Sequence, residues 1–354
     1  MLFWSQEERD RNFRRMETLF PTHVVKAGGK ARALTPGAPI DEALGGAAAV
    51  DEAMAQLNVA GLLVLQDGKV RLERYARGYG PGQRWTSFSV AKSLTSTLVG
   101  AAVKDGFIKS IDDPVTRYIP ELAGSGYDGV TIRQILTMTS GVRWNEDYTD
   151  PKSDVARMFA VSVPPGEDAT VAYLKTLPRE APPGTKWVYK TGETNLIGVL
   201  VRRATGKPLA AYLSDKIWRP YGMEADAYWQ IDETGQEVGG CCLSMTLRDY
   251  GRVGQFILEG GKAGGKTIVP DWWIAEATRK QAEIGAPDRG YGFQWWTGPQ
   301  GTFDAVGIFG QMIHVDPARR MVVVTSSAWP QATARELSAA RAALIARITA
   351  AAAR

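Results

Sequence analysis

Two apolar runs flank Asp67-Gly68 in AGLLVLQDGKVRLERYARG (60–78). Alternating side chains on either side of an Asp-Gly pair predict a β-hairpin closed at that pair. Upstream, residues 5–20 read as a polar amphipathic helix, followed by a Gly/Ala/Pro linker. From Ser89 to Val103 the apolar spacing turns helical, and Gly106 ends it. Residues 107–238 carry short helical segments broken by Pro and Gly, among them DDPVTRYIPEL, TIRQILTMTSGV and TNLIGVLVRRATG. Strand signals return in YGFQWWTG and in TFDAVGIFGQMIHVDPARRMVVVTSS, where Asp316-Pro317 marks a turn. An Ala/Arg-rich helix closes the chain.

Strands near both ends and helices between them predict an α+β fold. The expected antiparallel sheet is built from both chain ends and flanked by helices, with a mostly helical lobe inserted. The division falls at 1–106 plus 239–354 for the α/β lobe and 107–238 for the helical lobe. A small-molecule site is expected in the cleft between them.

Composition narrows the function. With 44% hydrophobic and 23% charged residues, the chain is globular rather than disordered. Its 42 basic and 38 acidic residues are dispersed, which leaves no basic footprint for nucleic acid. The first ten residues are charged and lack the apolar core of a signal peptide. No stretch approaches the roughly 18 apolar residues of a membrane span. The expected setting is therefore the cytoplasm, with no membrane partner; a homodimer is compatible with the composition. Cys241 and Cys242 are adjacent and without another partner, so they are expected to be buried, reduced and structural. Two histidines, His23 and His314, make no zinc ligand set, and no metal or cofactor is expected.

The scarcity of histidine also bears on catalysis. His23 follows a proline and His314 sits inside an apolar strand, so neither is placed as the base of a Ser-His-Asp set. No serine lies in G-x-S-x-G, and GGKAGGKT (260–267) misses the spacing of a phosphate loop. One S-x-x-K remains, Ser89-Val90-Ala91-Lys92. On a helix these two side chains share a face. The helix start offers free N–H groups to a developing negative charge. The plainer reading is a serine N-cap followed by a lysine in water. Against it, apolar neighbours crowd Lys92 and favour the neutral amine that a base requires.

Several boxes, taken in order, resemble the serine β-lactamase and penicillin-binding-protein superfamily. RWTSFSVAKSLTSTLVGAA resembles its nucleophile box, and IDDPVTRYIPEL and VTIRQILTMTSGVRW its helical landmarks. PPGTKWVYKTGETNLIGVLVRRATGKPL resembles the box with the catalytic tyrosine, GGCCLSMTLRDYGRVGQFIL a helix start, and GIFGQMIHVDP the last active-site strand. Within the superfamily the chain is most similar to β-lactamase-like carboxylesterases and 6-aminohexanoate-dimer hydrolases.

The resemblance implies a β-lactamase-like fold and a serine hydrolase acting on a small ester or linear amide through an acyl-enzyme. It implies Ser89 as nucleophile, Lys92 as its proton partner, and Tyr189 as a second base whose ionised form Lys92 stabilises. The backbone N–H groups of Ser89 and Ile308 would form the oxyanion hole. Tyr148 lies where the nylon-oligomer hydrolases place a substrate-contacting tyrosine. Thr191 replaces the amide of the usual Y-x-N, and Trp187 and Phe309 are candidate substrate contacts. Trp144, Trp295, Trp296 and Trp329 are weaker candidates for an aromatic acyl pocket. The overlapping Lys190-Thr191-Gly192 is in the wrong place for the family's third box. The strand that does stand there, Gly307-Ile308-Phe309-Gly310, has no Lys or His. That argues against β-lactam or D-Ala-D-Ala carboxylates, leaving β-lactamase or DD-peptidase activity as the rival enzyme reading and an inactive binding protein as the rival of another class.

Overall fold

The computed structural model describes residues 1–353. The hairpin forms from Val59–Gln66 and Lys69–Tyr75. Asp67 and Gly68 both take positive φ, +52° and +74°, as the tight turns that match strand twist require. Val59–Gln66 then pairs antiparallel with Met321–Ser327. The sheet continues through Gln311–Asp316, Phe303–Gly307, Trp296–Thr297, Gly290–Tyr291 and Ala282–Glu283. Eight strands thus join the two ends of the chain in one antiparallel sheet.

The central strands are apolar on both faces because both faces are covered. Leu63, Leu65, Val322 and Val324 pack into one core with Val253 and Phe256 of the helix Leu247–Leu258. Their neighbours Leu62, Val64 and Val323 pack into another with Leu344 and Ile348 of the helix Arg335–Ala352. Burying each such side chain contributes about 1.5–3 kcal/mol.

A second sheet, ordered Thr22–Val25, Ala227–Gln230, Leu243–Met245, Trp85–Thr86, lies outside the sequence expectation. One of its strands falls inside the stretch read as mostly helical. Its last strand matters most, because Trp85–Thr86 leads directly into Ser89.

The N-terminal helix is shorter than its periodicity suggests. It spans Gln6–Asn12 behind a Ser5/Glu8 capping box. Phe13 then leaves the helix to bury its ring against Trp85, Phe88 and Phe309, and its carbonyl accepts from the Thr86 N–H at 2.8 Å. Tertiary burial ends the helix before its pattern does.

The cysteine expectation is overturned: Cys241 and Cys242 are joined as a disulfide. Adjacency strains such a bond, and Cys242 takes a left-handed φ of +68° beside it. Among the described residues no helix is long and apolar enough to cross a membrane.

Candidate active site

The strand Trp85–Thr86 passes into a short 3-10 turn, Phe88–Val90, and then the helix Ala91–Lys104. The turn is tied to the neighbouring strand by Ser87, whose N–H donates to the Leu243 carbonyl at 3.0 Å and whose hydroxyl accepts from the Leu243 N–H at 3.0 Å. Phe88 holds φ +43°, an uncommon conformation that tends to gather at functional sites. Neither Ser87 nor Ser89 caps the helix through its side chain, and Lys92 is 1% exposed. The cap-and-solvated-lysine reading therefore fails.

Lys92 Nζ donates to Ser89 Oγ at 3.0 Å, Thr191 Oγ1 at 2.9 Å and the Gly240 carbonyl at 2.8 Å. Burial lowers its pKa from 10.5 to about 8, against an opposing pull from the Glu146 charge. An amine that would be wholly ammonium in water thus has its titration brought down close to ordinary pH, where a fraction of it is neutral.

Gly240 and Gly307 allow this assembly. A Cβ on Gly240 would stand 2.9 Å from Thr191 Cγ2 and 3.0 Å from Asn195 Oδ1, the atom that accepts from the Gly240 N–H at 2.9 Å. A Cβ on Gly307 would stand 2.6 Å from the Ser87 carbonyl and 3.1 Å from the Ser89 nitrogen. Only glycine lets the end of the strand Phe303–Gly307 approach the Ser89 turn this closely. Ile308 follows in a short 3-10 turn, Ile308–Gly310. The Ser89 and Ile308 amides lie in first turns, where N–H groups lack intrahelical acceptors. The Phe309 amide, by contrast, is spent on the Ala332 carbonyl at 2.9 Å.

Tyr189 lies beneath Lys92, whose Nζ is 5.1 Å from the ring centroid. The ring stacks on Trp296 at 5.5 Å and meets Tyr291 edge-on at 6.2 Å. Burial first and the Glu146 charge second raise the phenol's pKa, and a hydrogen bond with Ser89 opposes them. The resting group is therefore a neutral phenol.

The sequence reading missed Glu146. Its Oε1 accepts from Tyr148 OH at 2.8 Å and from Thr191 Oγ1; its Oε2 accepts from the Thr191 N–H at 2.9 Å and from Trp144 Nε1. Two residues apart in an extended loop, Glu146 and Tyr148 point to one side; that spacing in WNEDYTDP was the one available signal. Thr191 was read as a donor standing in for an amide. Here it both donates to Glu146 and accepts from Lys92.

A cavity of about 520 Å³ opens over Ser89, Tyr148, Thr191, Gly240 and Ile308. Its charged side chains are Asp232, Glu233 and Glu237, with no lysine or arginine on the wall; Met1, which carries the α-amino group, lines it too. Trp187 and Phe309 are not on that wall. Trp187 packs on Tyr291 and Trp296, each at 5.7 Å, behind Tyr189. Phe309 is fully buried against Phe13 and Phe88, each at 5.3 Å or less from it or from one another; φ +59° turns its ring into the core. Trp144, Trp295, Trp296 and Trp329 are also absent from the lining. His23 pairs with Glu237 at 2.8 Å and His314 with Asp304 at 2.6 Å; neither is bonded to Ser89.

Residues 47–347 match the Beta-lactamase family model. The chain is 32% identical over 349 residues to a 6-aminohexanoate-dimer hydrolase of Paenarthrobacter ureafaciens, covering 94% of this chain and 88% of that one. It is 30% identical over 194 residues to the esterase EstB of Burkholderia gladioli, covering 50% of this chain and 49% of that one. A solved structure from Bacillus anthracis, provisionally named a 6-aminohexanoate-dimer hydrolase, superposes with a TM-score of 0.84 at 26% identity and covers 96% of this chain and 93% of that one. The fold, the buried serine–lysine pair and these likenesses agree: the chain belongs to the β-lactamase family, as a serine hydrolase of that type related to amide and ester hydrolases.

Proposed function

We propose that the protein cleaves a small ester or linear amide through an acyl group carried on Ser89. The observation that carries this reading is the fully buried Lys92 amine, 3.0 Å from Ser89 Oγ with a pKa of about 8. As Oγ attacks the acyl carbon, its proton passes to Lys92, and the carbonyl electrons move onto an oxygen held by the Ser89 and Ile308 amides. Tyr189, a neutral phenol, gives its proton to the departing alcohol or amine and is recharged from the Lys92 ammonium. Water then attacks the acyl carbon and gives its proton to the same groups, the bond to Ser89 Oγ breaks, Oγ takes that proton back, and the acid is released.

The acidic lining bears on substrate. A carboxylate entering beside Asp232, Glu233 and Glu237 would lose hydration and gain no lysine or arginine partner there. This wall therefore suits a neutral or amine-bearing group; the linear amide in the name of the 32% identical relative ends in an amine on one side and a carboxylate on the other, and its amine end is the one that fits here.

Replacing Ser89 by alanine should abolish turnover of a p-nitrophenyl short-chain ester while circular dichroism stays unchanged; undiminished turnover overturns the assignment. Nitrocefin turnover faster than ester turnover would favour the β-lactamase reading. A wild-type protein that fluorophosphonate probes fail to label at Ser89 would favour a binding protein on the same fold.

A further inference from the structure

We propose that Glu146 is a positioning residue: through the Thr191 hydroxyl it aims the lone pair of Lys92 at Ser89. The inference rests on the serine–lysine reading above and extends it to a residue that touches neither Ser89 nor Lys92.

The argument is a count of protons. A neutral lysine amine has two N–H donors and one lone pair. Three partners surround Lys92 Nζ: Ser89 Oγ, Thr191 Oγ1 and the Gly240 carbonyl. The carbonyl can only accept, so it claims one N–H. The Thr191 hydroxyl has one proton and can face Lys92 either as donor or as acceptor. Glu146 removes that choice. Its Oε1 takes the Thr191 proton, and its Oε2 holds the same residue by the backbone N–H at 2.9 Å. Thr191 is left with only lone pairs for Lys92, and it claims the second N–H. The amine's lone pair then has one partner, the Ser89 hydroxyl, which is the geometry a base needs.

Glu146 is itself held in place. Trp144 Nε1 and Tyr148 OH donate to its two oxygens, so all four of its bonds come from donors, and a carboxylate accepts them all without rotating. The charged and titratable groups that face it are Lys92 from the Ser89 helix, Tyr189 and Tyr148 from the flanking segments, and Tyr291 from the sheet edge. Lys92 is the single cation among these four.

E146Q tests the idea because glutamine keeps the shape and can donate to Thr191 Oγ1. That frees the Thr191 proton to occupy the Lys92 lone pair. The pH dependence of kcat and KM for a p-nitrophenyl ester is measured for the wild type, E146Q, T191V, T191S and S89A, with thermal unfolding of each. In E146Q, kcat is expected to fall roughly 10- to 100-fold, within the usual range for a mispositioned proton-transfer group, with KM changed less than threefold. Without the carboxylate charge, the acid limb of kcat/KM should also move to lower pH. T191V should lose a similar factor, and T191S, which keeps the hydroxyl, should recover most of it. A purely structural Glu146 would lower the unfolding temperature, and the lost charge alone would shift the limb, but kcat on the plateau above that limb would stay at the wild-type value and T191V would match T191S.

If S89A abolishes turnover while E146Q keeps the wild-type kcat on that plateau, the positioning role is overturned and the serine mechanism stands. If E146Q does not fold, T191V and T191S decide: equal rates in the two overturn the proposal. Full activity in S89A overturns the serine reading and this inference together.

Discussion

Two lysines are buried within one small region of this molecule, and they are solvated by the protein in opposite ways. Lys92 has three oxygen acceptors at 2.8–3.0 Å and no carboxylate in direct contact. Lys190 has no hydrogen-bond partner for Nζ, but the carboxylate of Glu193 stands 3.6 Å away, and both side chains are fully buried. Dipoles that accept from either charge state leave Lys92 free to gain and lose a proton. At Lys190 a carboxyl group stands opposite instead, its pKa pushed up by burial and held down by the Lys190 charge. The first arrangement suits chemistry and the second suits structure, so the same substitution, lysine to methionine, should act on different properties at the two sites.

The largest expected effect is on catalysis at Lys92. K92M should lower kcat/KM for a p-nitrophenyl ester by about 10²- to 10⁴-fold, the usual loss for a proton-transfer group. K190M, by contrast, should leave the chemical step in place in whatever fraction of the protein is folded. Single-turnover acylation rates of the folded fraction separate the two; equal losses would erase the distinction. In the wild type the active form is the neutral amine, so kcat/KM should rise with pH through a midpoint near 8.

Stability should show the reverse order. K190M leaves the Glu193 carboxylate buried without its cation, with Ser140 Oγ and Tyr127 OH as its remaining hydrogen-bond donors. Breaking one side of a buried pair costs about 3–5 kcal/mol, readable as a lower urea midpoint. An unchanged midpoint would mean that the pair carries no structural load.

K92M is expected to cost far less and to gain stability at neutral pH. A folded pKa of about 8 against an ordinary 10.5 means that the folded chain binds fewer protons than the unfolded one between those values. Stability therefore rises with pH across that window, and below it the folded state bears a penalty of roughly 3 kcal/mol for keeping Lys92 charged. Methionine removes that penalty but strands the Gly240 carbonyl and the Thr191 lone pairs, at about 1–3 kcal/mol. A net gain of about 1 kcal/mol at pH 7 should shrink to nothing near pH 9 and become a loss of about 1 kcal/mol by pH 10. Urea titrations of K92M and wild type at pH 7, 8 and 10 check this; a difference independent of pH would mean that Lys92 is not tuned by burial.

How far each lysine could be read from sequence follows from where its partners lie. Lys92 reaches Ser89 three residues away, on one helix face, so spacing revealed the pair. The hairpin at Asp67-Gly68 was legible for the same local reason, as were the strands that meet it from the far end of the chain. The Gly240 carbonyl lies 148 residues from Lys92 and carries no side-chain signature, and Glu146 sits in a polar loop that looks solvated. Trp187 and Phe309 have the aromatic character of a substrate wall, yet neither reaches it: the stack of Tyr291 and Trp296 takes one ring, and a single left-handed φ turns the other inward. Lys190 stood in an overlapping K-T-G whose position argued against a catalytic role, but its ion pair with Glu193 depends on burial that no local pattern encodes.

The smallest effect should come from removing both members of the Lys190 pair. In K190M/E193M neither member of this pair is left charged, and two unbranched side chains of suitable volume fill the space. Replacing a whole buried pair by apolar residues is often near neutral. Here a residual cost of about 1–2 kcal/mol remains, because Tyr127, fully buried, loses the carboxylate that accepts its hydroxyl at 3.4 Å, and Ser140 loses the same partner. The Ser140 hydroxyl still accepts from the Val142 N–H at 3.1 Å, but its own proton, like that of Tyr127, is left without an acceptor, so the loss is shared between them. Adding Y127F should therefore recover part of that cost, and the triple variant should unfold within about 1 kcal/mol of wild type. A double variant as unstable as K190M alone would show that the two charges contribute more than mutual neutralisation, and that the contrast with Lys92 is one of degree.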